Sequence, residues 1–361
     1  MSKKYKHIPS FNNNNSRDNT LLEVKKPMLS NLVHASHNTE AEIKKTLEEL
    51  RFFIFKNSIL GSSQKYRQKV WKLLLEVYYV SANCYKDLLE NGVSEYHKDI
   101  IHDSTISFFD DGTDSYKGTL KQMQRVLNSF IWLHAEKTTL TSTATVFISK
   151  LLLRHQPAHW RFAYVNTMSF LVVPFIMILP ELDAFFTFTT FVRHCCPLYA
   201  QPNLLGAHCG VKLLDVCLKI IDPELSGYLR GKGLTADIFA FKEISTLSAS
   251  VQPFSEVLHL WDVMIAFGVH LNILFNLAQL VKRRTKILSS TSPIHLIRSP
   301  PPLDALSTIN LAFQLIDILP NKTYLQLVRH PYDETIAHEL GVDVPESEQD
   351  EFTGDDTESE G

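Results

Sequence analysis

The chain has 361 residues, 45% hydrophobic and 21% charged, a balance that excludes a collagen-like or wholly disordered polypeptide and allows a large buried core. Its net charge of -3 is unevenly spread, because residues 331–361 hold twelve carboxylates and no lysine or arginine, leaving 36 cations against 27 carboxylates elsewhere. Five cysteines, odd in number and without a CxxC pair, exclude a disulfide framework and a zinc knuckle and point to a reducing compartment.

Residues 1–37 are polar, include the run Asn12 to Asn15, and cannot bury enough apolar area to offset chain entropy, so they are predicted to be disordered. No apolar stretch of signal-peptide length occurs there, and the protein is expected in the cytoplasm or at its periphery. A first helix is predicted from Thr39, its N-cap, with Ile43, Leu47, Leu50, Phe53 and Ile54 at three- and four-residue spacing. "SSQKYRQKVWKLLLEVYY" follows as an amphipathic helix, with Tyr66, Val70, Trp71, Leu74, Leu75 and Tyr78 on one face. "KGTLKQMQRVLNSFIWLHAEK" is a third helical segment.

The uncharged run between Arg161 and Glu181 approaches the roughly 20 residues that span a bilayer. Pro174, Pro180, Asn166, Thr167 and Ser169 make poor lipid-facing chemistry, so a buried helix is expected instead, with no integral membrane association. "VKLLDVCLKII", "SEVLHLWDVMIAFGVH" and "LNILFNLAQLVKRRTKILSS" continue the helical pattern, and strict alternation is rare. Asp222 can cap a helix beginning at Pro223, and Gly206, Gly210, Gly231, Gly233 and Gly268 read as punctuation between apolar runs. "SPPPLDAL" reads as a stiff connector, one or two helices follow it, and the acidic segment 331–361 is predicted to be disordered. The fold class is therefore all-α, without a repeat of solenoid period.

No nucleotide-binding Gly-rich loop, HExxH or GxSxG motif is present, so the chain carries no recognisable hydrolase or kinase chemistry of its own. His208 and Cys209 lack a second pair at ligand spacing, and neither a metal nor a cofactor is expected. Lys282, Arg283, Arg284 and Lys286 sit where a helical run ends; they fit either the negative dipole end or a surface for a partner or nucleic acid, of which a nucleic-acid partner is not expected. Ser347 and Thr357, each with an acid three residues on, are candidate phosphorylation sites in the acidic segment.

Four elements stand in order: "RQKVWKLLL" (67–75), "YHKDIIHDSTISF" (96–108), "YVNTMSFLVVPF" (164–175) and "LHLWDVMIAFG" (258–268). Together they resemble the TBC domain, whose hallmarks are RxxxW, IxxDxxR, YxQG and LWD. The resemblance covers residues 38–330 and implies a large two-lobed helical domain between disordered tails that binds Rab-type and related small GTPases and accelerates GTP hydrolysis. "GAHCGVKLLDVCLKIIDPELSGYL", "LTADIF" and "SPIHLIR" resemble the branch that restrains mitotic exit or septation from the spindle pole body.

In that family an arginine from IxxDxxR stabilises the charge on the γ-phosphate oxygens and a glutamine from YxQG orients the attacking water. Matching motif to sequence puts Ile106 at the arginine position and Asn166 at the glutamine position, with Thr167 where the family has glycine. By transition-state arithmetic, loss of the arginine alone costs about 4–7 kcal/mol. Asparagine keeps the amide but is one methylene short; Asn166 fits either a residual functional amide or a satisfied buried polar group.

The resemblance implies that Arg67, Asp103, Tyr164 and Thr167 face the GTPase, although Arg67 equally fits an internal ion pair. Trp71 and Trp261 are expected as core anchors, and Asp103 and Asp262 as caps or hydrogen-bond acceptors. The expected partners are a Ras-like GTPase in its GTP form and a separate GTPase-binding subunit, at the spindle pole body or elsewhere in the cytoplasm. Three functions remain open: the TBC subunit of a two-component GTPase-activating complex, a non-catalytic scaffold, and a generic Rab regulator in vesicle traffic.

Overall fold

A computed structural model describes residues 40–57, 64–107, 115–135, 138–142, 144–146 and 160–343; among them there is no β-strand. Thr39, the segment 1–37, Ser347 and Thr357 lie outside the described residues. The helices are α1 (Glu40–Asn57), α2 (Gln64–Leu74), α3 (Ala82–Glu90), α4 (His97–Ser107), α5 (Ser115–His134), α6 (Met168–Ile178) and α7 (Glu181–Cys195). After a short 3-10 turn, Pro197–Tyr199, come α8 (Leu205–Ile221), α9 (Pro223–Gly231), α10 (Ala236–Ser245), α11 (Phe254–Phe267) and α12 (Leu271–Lys282). The chain closes with α13 (Arg284–Leu288), α14 (Pro293–Arg298), α15 (Ala305–Ile316), α16 (Asn321–Arg329) and α17 (Thr335–Leu340).

Two helices organise the packing. Helix α6 is apolar almost all round, with Leu171, Val172, Phe175 and Ile178 buried, and it is surrounded by α2, α4, α5 and α7. Its 11 residues reach about 16 Å, half the thickness of a bilayer core, so its apolarity reflects burial inside protein. Among the described residues no helix is long and apolar enough to cross a membrane. Helix α8 plays the matching part later in the chain, contacting α9, α10, α12, α16 and α17. Helix α11 packs on α1 and α2 as well as on α12 and α15, which makes one continuous core of both halves.

Local signals explain several boundaries. The Asp222 carboxylate accepts from the Leu225 amide, 3.0 Å, at the start of α9 with Pro223 in its first turn, as its sequence predicts. Asp304 caps α15 in the same way through the Ser307 amide. Helix α2 is shorter than its apolar periodicity suggests: it stops at Leu74, and the predicted continuation through Tyr78 is absent. Glu76 takes φ 58, its amide donates to Leu73 and the Val77 amide donates to Lys72, which is the hydrogen-bond pattern of a Schellman stop. Tyr78 and Tyr79 are consequently exposed.

Gly206 and Gly210 do not separate elements. Both lie inside α8, where a Cβ would come within 2.5 Å of the Tyr199 ring and 2.7 Å of Ile244 Cγ2, so they permit close packing. The predicted single helix from 271 to 290 is divided at Arg283 into α12 and α13. The predicted disorder from 331 onward is corrected as far as Asp343. Pro331 accepts from the Leu198 amide, Glu334 accepts from Trp160 Nε1 at 2.7 Å, and Ile336 and Ala337 of α17 are buried. This short apolar helix is enough to hold an otherwise acidic segment on the core.

Candidate functional site

Motif residues from α2 and α11 meet in the core. Arg67 Nε and Nη2 donate to the two carboxylate oxygens of Asp262, both at 2.9 Å, and Trp71 Nε1 donates to Oδ1 at 2.8 Å. Arg67 is only 7% exposed and Asp262 not at all, and the two are 195 residues apart in sequence. Such a bidentate pair satisfies the buried charges, and the aromatic shell around it excludes water. Phe175 sits edge-on to Trp71 and Trp261, each at 5.6 Å between centroids, and Phe191 packs 5.1 Å from Trp261. Trp261 in turn donates from Nε1 to the Leu247 carbonyl. Trp71 and Trp261 are thus core anchors and Asp262 is a hydrogen-bond acceptor; Arg67, implied by the resemblance to face the GTPase, instead turns inward because a buried carboxylate awaits it.

The second group of motif residues lies at the edge between α4 and the segment entering α6. Ile100 is fully buried and anchors α4, which sets Asp103 half-buried one turn later and Ile106 at the rim with 59% of its surface exposed. Tyr164 is buried against Tyr96, with ring centroids 6.2 Å apart, and its hydroxyl donates to Asp103 Oδ2 at 2.9 Å. Burial, then the neighbouring Asp103 charge and that hydrogen bond, push the phenol well above its ordinary range, so it remains a donor throughout the physiological range. The bond therefore ties the chain three residues before Ile106 to the chain two residues before Asn166.

Asn166 is exposed, which removes the reading of its amide as a satisfied buried polar group. Its carbonyl accepts from Ser169 Oγ at 2.7 Å, fixing the turn into α6 and leaving the amide at the surface. Thr167 takes φ -65 and ψ -22, ordinary right-handed backbone that needs no glycine. Its side chain is buried and its Oγ1 has no hydrogen-bond partner, so it cannot touch a docked protein without rearrangement. Of the six residues that the resemblance assigns to catalysis or GTPase contact, Ile106 and Asn166 reach solvent, Asp103 does so in part, and Tyr164 and Thr167 are buried at the same edge, while Arg67 is buried at the α2–α11 junction.

Other candidates resolve into structure. Arg284 pairs with Asp222 at 2.6 Å and contacts Glu224, while Arg283 donates to the carbonyls of Gln279 and Leu296, so two of the four clustered cations are held within the fold. His208 stacks on Phe241 at 5.1 Å beside buried Cys209. Among the described residues no group of three or more His, Cys, Asp or Glu side chains is arranged to hold a metal. All five cysteines are free, and burial pushes the thiols of Cys195, Cys209 and Cys217 up to about 12, where they are unreactive. Lys242, which sequence reasoning passed over, stands near the second group: its Nζ lies 5.4 Å from the centroid of the Phe170 ring.

Comparison with known proteins gives a consistent set of relatives. The Rab-GTPase-TBC domain profile matches residues 64–288. Cell division control protein 16 of Schizosaccharomyces pombe is 32% identical over 293 residues, covering 80% of this chain and 89% of that protein. Mitotic check point protein BUB2 of Saccharomyces cerevisiae is 33% identical over 299 residues, 81% of this chain and 94% of its own. Among solved structures, the Ypt/Rab-GAP domain of Gyp1p aligns with a TM-score of 0.61 at 16% identity, over 84% of this chain and 99% of that one. The Chlamydomonas flagellar RabGAP TBC domain aligns with a TM-score of 0.55 at 18% identity, over 87% and 92%.

Proposed function

The chain belongs to the Rab-GTPase-TBC domain family, and we propose that it is the TBC subunit of a two-component GTPase-activating complex that restrains a Ras-like small GTPase in the mitotic exit or septation checkpoint. The checkpoint assignment rests on likeness to relatives named for cell division control and the mitotic check point. The observation that carries the biochemical reading is the exposed pair Ile106 and Asn166, held on one edge by the bond between Tyr164 and Asp103. Such an edge suits docking of a GTPase with its phosphates toward these two positions. Neither side chain is a full catalytic finger: isoleucine has no charge for the γ-phosphate, and asparagine reaches about 1 Å less far than glutamine. Catalytic groups beyond these two positions, including ones from the bound GTPase or from a second, GTPase-binding subunit, complete the site. The complex works in the cytoplasm and at the spindle pole body.

Single-turnover hydrolysis tests this reading. A Ras-like GTPase loaded with GTP is mixed with the chain alone and then with its partner subunit added. We expect the chain alone to accelerate hydrolysis less than about tenfold and the pair to exceed that clearly, given the worth of an arginine finger. Acceleration beyond that by the chain alone sinks the two-component reading.

The non-catalytic scaffold is favoured by one observation: Ile101 and Ile106 expose apolar surface on the same helix, chemistry that suits a protein contact better than a phosphate. It predicts that the complex binds GTP-loaded GTPase without shortening its lifetime. Acceleration restricted to vesicle-traffic Rab proteins in a panel of GTPases would instead select the generic regulator.

A further inference from the structure

We propose that Lys242 is the cation this surface presents to the phosphate end of the bound GTP, in place of the arginine expected at Ile106; this rests on the GTPase-activating reading above. Lys242 lies near the end of α10, a different part of the chain from both finger motifs, and folding brings it to the entrance of α6. Its ammonium sits over the face of Phe170, 5.4 Å from the ring centroid, and the Phe170 amide donates to the carbonyl of Thr167, the residue after Asn166. The ring positions the ammonium without neutralising it, because a cation–π contact leaves the full charge in place. Among the described residues Lys242 forms no salt bridge, its charge acts on the half-buried carboxylate of the adjacent Glu243, and its side chain is exposed.

Among the described residues, other cations near these motifs are paired or lie several residues away along the chain from Ile106 and Asn166. Arg125 is bound bidentately by Glu181 and Lys72 pairs with Asp183. Arg161 lies five residues before Asn166 in a non-helical segment, roughly 16 Å away if extended, and Lys98 is two helical turns, about 12 Å, before Ile106. Lys242 carries its charge on a four-carbon stem with three rotatable donors, which suits contact with phosphate oxygens as a point charge. In the reaction, the bond from water oxygen to the γ-phosphorus forms and the bond to the bridging oxygen breaks. The water proton passes to the released phosphate, and Lys242 keeps its own protons while supplying only charge.

The test uses the full-length chain with its partner subunit and a Ras-like GTPase loaded with radiolabelled GTP, followed through a single turnover. Affinity is measured in parallel with the GTPase carrying a non-hydrolysable GTP analogue. Lys242→Ala should slow hydrolysis by about 10- to 100-fold while affinity changes less than about threefold, and Lys242→Arg should retain most of the rate. Phe170→Leu, which removes the platform but not the charge, should slow it by about two- to fivefold. Lys98→Ala and Arg161→Ala should each stay within about twofold, as expected for more distant screened charges. Because Lys242 is exposed, its variants should melt with the wild type.

An unchanged rate in Lys242→Ala, a loss explained wholly by weaker binding, or a larger loss in Arg161→Ala overturns this assignment and leaves the GTPase-activating reading standing. A wild-type complex that fails to accelerate hydrolysis overturns both.

Discussion

Around Asp262 the motif side chains point inward and pair, whereas past Asp103 and Tyr164 the chain releases Ile106 and Asn166 to solvent. Both regions are built from the same family signature, yet they use it for different purposes. The junction of α2 and α11 takes Arg67, Trp71, Trp261 and Asp262 out of water and satisfies them against one another, so their identity is fixed by folding. At the edge of α4 and α6 the supporting parts are under cover, Ile100 and Thr167 buried and the bond between Tyr164 and Asp103 partly so. The side chains it presents are free to change without cost to the core, and their identity is a matter for whatever docks there.

This contrast makes graded predictions for stability. Asp262→Ala leaves the Arg67 charge buried and Trp71 Nε1 without an acceptor, and should cost about 3–5 kcal/mol in a urea titration. A loss below about 1 kcal/mol would mean that the junction is not what holds the halves together.

Acid should act on the core rather than on the exposed edge. Burial, and for His270 the neighbouring His330, lower the pKa values of His270 to about 3 and His330 to about 4 from an ordinary 6.5. His330 Nδ1 donates to the Leu327 carbonyl and its Nε2 accepts from the Tyr199 hydroxyl at 2.8 Å, an arrangement of the neutral ring. Between those values and 6.5 the unfolded chain binds more protons than the folded one. Stability is therefore complete above about pH 6.5 and falls as the solution is acidified toward pH 4, by up to about 1.4 kcal/mol per pH unit for each ring. Urea midpoints measured from pH 7 down to pH 5 should follow this slope, and His270→Phe should make it shallower. An unaltered slope in that variant would place the acid sensitivity elsewhere.

Tyr164→Phe should cost about 1–2 kcal/mol, since it deletes one bond to a half-buried carboxylate. On the proposed reading it should also weaken GTPase activation, because the bond ties together the two positions that the family motifs assign to the fingers. Thr167→Val keeps the shape and removes a buried hydroxyl that has no partner, so it should raise stability by about 0–1 kcal/mol in thermal unfolding. The double substitution Ile106→Arg with Asn166→Gln should leave stability within about 0.5 kcal/mol while raising single-turnover hydrolysis at least about tenfold. A fall in melting temperature there would show that the edge is part of the core after all; unchanged hydrolysis would show that its backbone has moved away from a catalytic geometry.

Much of the fold could be read along the chain because its signals are local. Asp222 and Pro223 announce the start of α9 through a cap that spans three residues, and the apolar run at α6 reads as a buried helix once its prolines and polar residues are weighed. The end of α2 could not be read, since its stop uses Glu76 with positive φ where a glycine would have been the recognisable sign. Gly206 and Gly210 misled for the opposite reason, as their absent side chains serve contacts with Tyr199 and Ile244 that are remote in sequence.

The sequence by itself determined an all-α chain and the family to which it belongs, and it singled out Ile106 and Asn166 as the positions that the family motifs would assign to arginine and glutamine. Those properties follow from residue type and short-range spacing, which pattern and motif record directly. Only the tertiary structure decided that Arg67 faces Asp262 rather than a GTPase, that Thr167 is covered while Asn166 is not, and that Lys242 stands over Phe170. Each depends on which distant helices share a neighbourhood, and burial and charge pairing are properties of that neighbourhood rather than of any single stretch of chain.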